Sequence, residues 1–481
     1  MPPQSPLVKP AASPSPLTHD DIMAWFASGE KPPSAWGIGT EHEKFLFDCK
    51  THRRPPYAGD NGIEGILTRI AGKDGWRGVY EKGKIIAAKH NDGSSITLEP
   101  GGQMELSGAI MGDLHATCRE TQNHLRLMGE VMDVSCIWML GLGFDPKWQR
   151  EDVPWMPKGR YAIMRNYMPK VGAKGLDMML RTCTIQVNLD YASEADMVMK
   201  FRTALALQPI ATALFANSPF VEGKPSGVLS NRAMAWGATD ADRCGVPEVV
   251  FDAGFGYEMW MDYVLDVPMY FLERDGGYVD VAGQSFRDFM GGGLAGFAGQ
   301  YPGLADWESH ITTVFPEVRL KRFLEMRGAD GGDWAMICAL PALWTGILYD
   351  GEALAEAAEF ASGFGAEDTG EAFFSAAKDG LAGRIGKHDM YKAAERIVGI
   401  AMAGLKRRGI ADEGGADETQ YLTPIKHLLE GRTTQAELLL AEYEGAWGED
   451  IDRIYESHRL QAREATACCS QSSQPSPPKP A

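Results

Sequence analysis

Apolar positions recur along this chain at two spacings, and each spacing marks a kind of element. Period two, the spacing of a strand with one buried face, is clearest in RTCTIQVNLDY. There Cys183, Ile185, Val187, Leu189 and Tyr191 share one face and Thr182, Thr184, Gln186, Asn188 and Asp190 the other. In SSITLEPGGQMELS the alternation runs through Ile96 and Leu98, breaks at Pro100-Gly101-Gly102, and resumes with Met104 and Leu106. It predicts two short strands joined by a tight turn or bulge, with Glu99 and Glu105 on their polar faces. WGIGTEHEKFLFD predicts a further strand, with Glu41, Glu43, Phe45 and Phe47 on one side and His42 and Lys44 on the other. Bulky apolar groups continuing an acidic face suit the wall of a cleft better than open water. Residues 78–107 read as strands throughout. In FPEVRLKRFLEMRGADGG, Glu317, Arg319 and Lys321 share a face, as do Glu325 and Arg327, and Gly-Ala-Asp-Gly-Gly reads as a loop beside a ligand.

The 3.6-residue spacing predicts helices from Thr18, a candidate N-cap, to about Gly29, then over Leu114–Met132 and Ser193–Leu214, with a helix start near MPKGRYAIMRNYMPK. Helices rich in Ala, Leu and Glu follow from about Leu340 to Leu460. Arg232 and Arg243 fall in segments that read as mobile loops. GGGLAG, without a following Lys-Ser/Thr, reads as a flexible lid rather than a phosphate loop. The Pro/Ser-rich ends, residues 1–17 and 461–481, are expected to be unstructured. No linker interrupts residues 18–460, which predicts one large α+β domain rather than a string of modules.

Composition narrows the function. A formal charge of −18 over 481 residues, with no basic run, speaks against nucleic-acid or anionic-membrane partners. No apolar stretch approaches a membrane span. Eight cysteines without metal-binding spacing read as reduced, scattered thiols, and the N-terminus lacks a signal or transit pattern. Both point to a cytoplasmic protein. Glu41, Glu43, Glu99, Glu105 and Glu325, set among amides and arginines, suggest hard-oxygen ligands for Mg²⁺ or Mn²⁺. Carboxylates, divalent cations and arginines together are the parts that phosphoryl transfer needs. A solvated strand edge with surface ion-pair ladders would show some of the same alternation.

The runs GTEHEKFLFD, ITLEPGGQMELSG, MPKGRYAIMRNYMP, LRTCTIQVNLDY, ALQPIATALFANSPF and FPEVRLKRFLEMRGADGG resemble glutamate–cysteine ligases of the plant and proteobacterial type over roughly residues 18–455. The resemblance implies a glutamine-synthetase-like fold, a curved antiparallel sheet forming a funnel backed by helices. It implies ligation of L-glutamate to L-cysteine at the expense of ATP, through γ-glutamyl phosphate, in the first step of glutathione synthesis. By the same resemblance Glu41, Glu43, Glu99, Glu105 and Glu325 hold Mg²⁺ or Mn²⁺. Arg232 and Arg327 are the catalytic arginines, and Arg160, Gln186, Asn188, Tyr270 and Arg319 bind substrate, Tyr270 at the cysteine pocket. Cys118 and Cys338 match one disulfide pair of the plant members, whereas Val281 and Gly296 stand at the other pair. The oligomeric expectation is a monomer or weak homodimer. Two alternatives stay open: a carboxylate–amine ligase using another amine, and a metal-dependent hydrolase or cation-binding scaffold, which would not need ATP.

Overall fold

Strand β1 (Ile38–Asp48) runs through the middle of a ten-stranded sheet in which every pairing is antiparallel. The computed structural model describes residues 16–461. The expected unstructured ends therefore lie, apart from residues 16, 17 and 461, outside the described residues. The other strands are β2 (Trp76–Glu81), β3 (Lys84–His90), β4 (Ser95–Leu98), β5 (Met104–Ser107), β6 (Ile137–Leu140), β7 (Thr184–Leu189), β8 (Val318–Leu320), β9 (Leu324–Asp330) and β10 (Arg459–Leu460). Their order across the sheet is β8-β9-β7-β1-β5-β4-β3-β2. β1 is long enough to serve two neighbourhoods. Residues 38–44 lie between β7 and β5, and Phe45–Asp48 pair instead with β6, which also carries β10.

Helices cover the faces that alternation makes apolar. Glu194–Leu214, capped by the Ser193 hydroxyl on the Asp196 amide, joins Ile185, Val187, Leu324 and Met326 in the largest core. Leu114–Met132 follows its predicted bounds, and Ile63–Ala71 packs beside it against β3, β4 and β5. Trp334–Leu348 and Met390–Arg408 extend the large core through the C-terminal third. Thr18 caps the first helix in a reciprocal box with Asp21. Among the described residues no helix is long and apolar enough to cross a membrane.

Four expectations change. Phe45 and Phe47 do not line a cleft: β6 and the C-terminal segment close over them, and both are buried with Leu439, Tyr443 and Tyr455. Arg232 and Arg243 do not sit in mobile loops. Arg232 lies in the helix Asn231–Gly237, and Arg243 is buried against the Asp240 carboxylate at 2.6 Å and two carbonyls. Gly328 to Asp330 continue β9 rather than forming a loop, because a bulge between Met326 and Ala329 lets the ladder with β7 resume at Ala329↔Ile185. Finally, the cysteines are not all thiols: Cys49 and Cys136 form a disulfide. They are 87 residues apart in sequence, and only the β1–β6 pairing brings them together, extended by the Cys49 amide donating to the Cys136 carbonyl at 2.9 Å. Cys118 and Cys338 are both buried. Cys468 and Cys469 lie outside the described residues.

Closing so long a loop removes conformational freedom from the unfolded chain, an effect of about 2–4 kcal/mol. Cys136→Ser should lower the unfolding free energy by that amount in denaturant melts under oxidising conditions. Dithiothreitol should lower the wild type to match and leave the variant unmoved.

Candidate active site

The register of the central strands builds the site. Opposed residues of an antiparallel pair share a face. Glu43 faces Glu105 across β1–β5, and Glu105 faces Thr97 across β5–β4. Glu41 faces Gln186 across β1–β7, and Asn188 faces Glu325 across β7–β9, with Arg319 beyond it on β8. Glu99 sits at the end of β4, where its amide donates to the Gln103 carbonyl and its carbonyl accepts from Gly102. Gly102 has φ +80°, which the turn requires and a residue with a side chain rarely adopts. Glu41, Glu43, Glu99, Glu105, Asn188 and Arg327 are only half-buried, whereas the apolar residues between them are buried, so the row lines an accessible cleft.

The two ends of this row differ in charge. At one end Glu325, fully buried, accepts both arms of the Arg319 fork at 2.7 and 3.0 Å and Arg327 Nη1 at 2.9 Å, with Lys321 Nζ at 3.4 Å. Burial opposes its charge, but Arg319, Lys321 and Arg327 overcome that and hold the carboxyl well below the usual range. Stripping one partner from such a buried pair costs about 3–5 kcal/mol. Arg319 also donates to the Thr312 and Val314 carbonyls, both at 2.9 Å, so its guanidinium is turned onto Glu325 and the backbone. Arg327 Nη1 also donates to Gln186 Oε1 at 2.7 Å, under the rings of Trp236 and Phe315.

At the other end the acids outnumber their partners. Burial, then the charges of Glu325 and Glu105, push Glu41 up. Burial, then Glu99 and Glu105, push Glu43 well up. Burial and Glu99 push Glu105 up. Their hydrogen bonds are few: Asn188 Nδ2 to Glu41 at 2.9 Å, the Thr184 amide to Glu43 at 2.8 Å, and the Ser107 hydroxyl to Glu105 at 2.7 Å. Crowded carboxylates raised by one another call for a cation between them. Among the described residues no three His, Cys, Asp or Glu side chains are already drawn into a cage. An open row of hard oxygens suits Mg²⁺, which takes one or two carboxylates and leaves positions for phosphate oxygens.

The remaining candidates lie around this row. Arg160, in the first turn of the helix Gly159–Val171, has a buried Nε without a partner and Glu99 as a charged neighbour. Arg232 is almost fully buried, its Nε on Asp330 at 2.7 Å and Nη2 on the Gly328 carbonyl at 2.7 Å. Tyr270 stands one ring away. The Arg243 guanidinium lies 3.9 Å over it, Phe315 separates it from Arg327, and its buried hydroxyl has no partner.

Two residues were not singled out from sequence. Lys158 donates to the Leu98 carbonyl at 2.9 Å, and burial and Arg160 push its amine down to about 8. Its place beside Arg160 in MPKGR was the available signal. Asp330 lies in Gly-Ala-Asp-Gly-Gly, which the sequence marks only as a loop beside a ligand; the bulge that turns its side chain inward is invisible in the sequence. Behind the row, His42 and Lys44 point away from the cleft, and Lys44 donates to His124 at 2.8 Å, with burial taking its amine down to about 7.

A carboxyl raised on folding holds a proton that the unfolded chain would release, so its stabilising contribution is lost as pH rises from the ordinary carboxylate range through the raised value. In metal-free protein Glu41, Glu43 and Glu105 should therefore weaken the fold toward pH 8. Adding Mg²⁺ should raise the thermal midpoint more at pH 8 than at pH 5.5, and Glu105→Gln should blunt that rise without lowering metal-free stability. A midpoint indifferent to Mg²⁺ at both values would remove the row as a cation site.

Comparison with known proteins places this geometry in a family. The model of "glutamate-cysteine ligase family 2" matches residues 37–457. The chain is 51% identical to a chloroplastic glutamate–cysteine ligase of Solanum lycopersicum over 441 residues, covering 92% of this chain and 82% of that protein. It is 49% identical to the chloroplastic enzyme of Arabidopsis thaliana, at 92% and 83% coverage. These relatives are named chloroplastic, which overturns the cytoplasmic expectation. In fold, the chain superposes on a glutamate–cysteine ligase of Francisella tularensis, solved in complex with AMP, with a TM-score of 0.54 at 11% identity, covering 91% of each chain. The architecture is α+β and glutamine-synthetase-like, in a single domain.

Proposed function

The chain belongs to glutamate–cysteine ligase family 2, and from that premise we propose that it joins the γ-carboxylate of L-glutamate to the amine of L-cysteine, using ATP and passing through γ-glutamyl phosphate. The observation that carries this reading is the polarity of the cleft: crowded carboxylates at one end and arginines tied to Glu325 at the other. Phosphoryl transfer between two anions needs cations to neutralise repulsion and donors that hold the oxygens in line.

Glu41, Glu43, Glu99 and Glu105 are the residues that would hold Mg²⁺ or Mn²⁺, because among the described residues none of them is locked in a close ion pair as Glu325 is. A divalent cation bound there supplies charge neutralisation to phosphate and carboxylate oxygens. Glu325 has a different task from theirs: its charge is already matched by Arg319, Lys321 and Arg327, so it fixes the arginines rather than a metal. Arg327, steered by Glu325 and Gln186 through Nη1, keeps its Nε and Nη2 for an anionic oxygen. Arg232 presents its remaining Nη1 at the same end, and Arg160 with Lys158 supplies positive charge beside Glu99. Asn188 holds Glu41 in place through Nδ2 and leaves its buried Oδ1 to accept from an ammonium group. Phe315, with Tyr270 behind it, forms the apolar wall suited to a small thiol side chain.

Once the γ-glutamyl phosphate forms, the cysteine amine attacks its carbonyl carbon. The C–O bond to phosphate breaks, phosphate leaves, and the amine loses its proton as the amide forms. The purified protein should release ADP in the presence of Mg²⁺, ATP and glutamate only when cysteine is added, with γ-glutamylcysteine identified by mass. ADP release with a different amine would keep the chemistry and change the acceptor. No turnover with any amine would refute the ligase reading. Arg327→Ala should lower kcat/KM by about 10²–10³-fold, the loss expected for one donor aimed at developing charge.

A further inference from the structure

We propose that Asp330 is a positioning residue that aims Arg232 into the cleft; the proposal rests on the reading above, in which Arg232 meets an anionic substrate group. Asp330 reaches the cleft face only because of the bulge in β9. Glu325 opposes Asn188, and five residues later Asp330 opposes Thr184, which lies on the same face as Asn188. In a regular strand, residues five apart point to opposite faces, so the extra residue between Met326 and Ala329 restores Asp330 to the side of Glu325. Gly328 permits the bulge. A Cβ there would stand 2.3 Å from Glu317 Oε2 and 2.5 Å from Gln208 Nε2.

Placed there, the buried carboxylate has both oxygens fully used. Oδ1 accepts from the Ser230 hydroxyl and Arg232 Nε, each at 2.7 Å. Oδ2 accepts from the Asn217 amide at 2.8 Å and the Ser218 hydroxyl at 2.6 Å. The same serines continue to Arg232's own helix: Ser230 Oγ accepts from the Ala233 amide as its cap, and Ser218 Oγ accepts from the Arg232 amide at 3.3 Å. Backbone and guanidinium of Arg232 are thus referred to one carboxylate. With Nε on Asp330 and Nη2 on the Gly328 carbonyl, the plane of the fork is fixed and Nη1 alone is left for a ligand. A general ion pair would set no such direction. Two bonds on one edge of a planar group do.

The test is a double-mutant cycle on steady-state kinetics in the full-length protein, with thermal melts as control. Asp330→Asn should lower kcat/KM by about 100-fold in the wild-type background and by less than about threefold in Arg232→Ala, because the carboxylate then has no guanidinium to aim. Guanidinium ion added to Arg232→Ala should restore part of the activity when Asp330 is present and none in the double variant. Losses that multiply, or rescue independent of Asp330, would overturn the positioning role and leave Asp330 as a structural clamp. Arg232→Ala with wild-type kcat/KM would refute the use of Arg232 itself, a separate failure. Should Asp330→Asn not fold, Arg232→Lys decides. It keeps the charge and loses the Nε–H, so a drop of about 100-fold supports the proposal and activity within threefold of wild type overturns it.

Discussion

Charge held inside the sheet is the constraint on which the rest of the structure depends. β1 carries Glu41 and Glu43 through the middle of a ten-stranded sheet, and its neighbours bring Gln186, Glu105 and, across β7, Glu325 to the same face. Carboxylates so placed lose hydration and repel one another. The protein resolves this in two ways along one row. Around Glu325 it supplies Arg319, Lys321 and Arg327 from its own chain. Around Glu43 and Glu105 the acids still raise one another, with Lys158 and Arg160 as only partial counter-charge. Such a row suits charged ligands, and its crowded end is where the proposed cation would sit.

Much of the surrounding architecture serves that row. The helix Glu194–Leu214 and the C-terminal helices bury the apolar faces of β7 and β9, so that the polar face can be dedicated to the cleft. Residues around the arginines are fixed rather than mobile. Arg232 is gripped by Asp330, Arg243 by Asp240, and Arg319 by Glu325 and two carbonyls. Preorganised donors need not be reoriented when charge develops, which is where electrostatic catalysis draws its advantage. The buried His42, Lys44 and His124 behind β1 show that even the rear of the acid-bearing strand is polar, its Lys44 amine pushed down to about 7 by burial.

Membership of glutamate–cysteine ligase family 2 gives these features a common purpose. The Cys49–Cys136 bridge ties the end of β1 to the start of β6, at the point where β1 leaves the cleft and enters the C-terminal core. The strand that carries two of the acids is thereby fixed at its far end by a covalent bond as well as by its ladder.

Alternation in the sequence alone determined the acid-bearing strands and their faces. Glu41 and Glu43 fall on one side of β1 and His42 and Lys44 on the other, and Thr184, Gln186 and Asn188 share a face of β7, because side-chain direction in a strand is a local property of the backbone. Capping was local too, as at Thr18 and Ser193. Tertiary structure decided what sequence spacing cannot encode. It chose which strands lie side by side, so that Glu43 meets Glu105 and Cys49 meets Cys136. It placed a bulge after Met326, which reversed the face of Asp330 and turned an apparent loop into the anchor of Arg232. It closed the C-terminal segment over Phe45 and Phe47, burying residues whose pattern matched a cleft wall. It also set which acids found arginines and which did not. Most of those outcomes depend on contacts between segments tens to hundreds of residues apart, and only the folded chain brings such segments within range of one another.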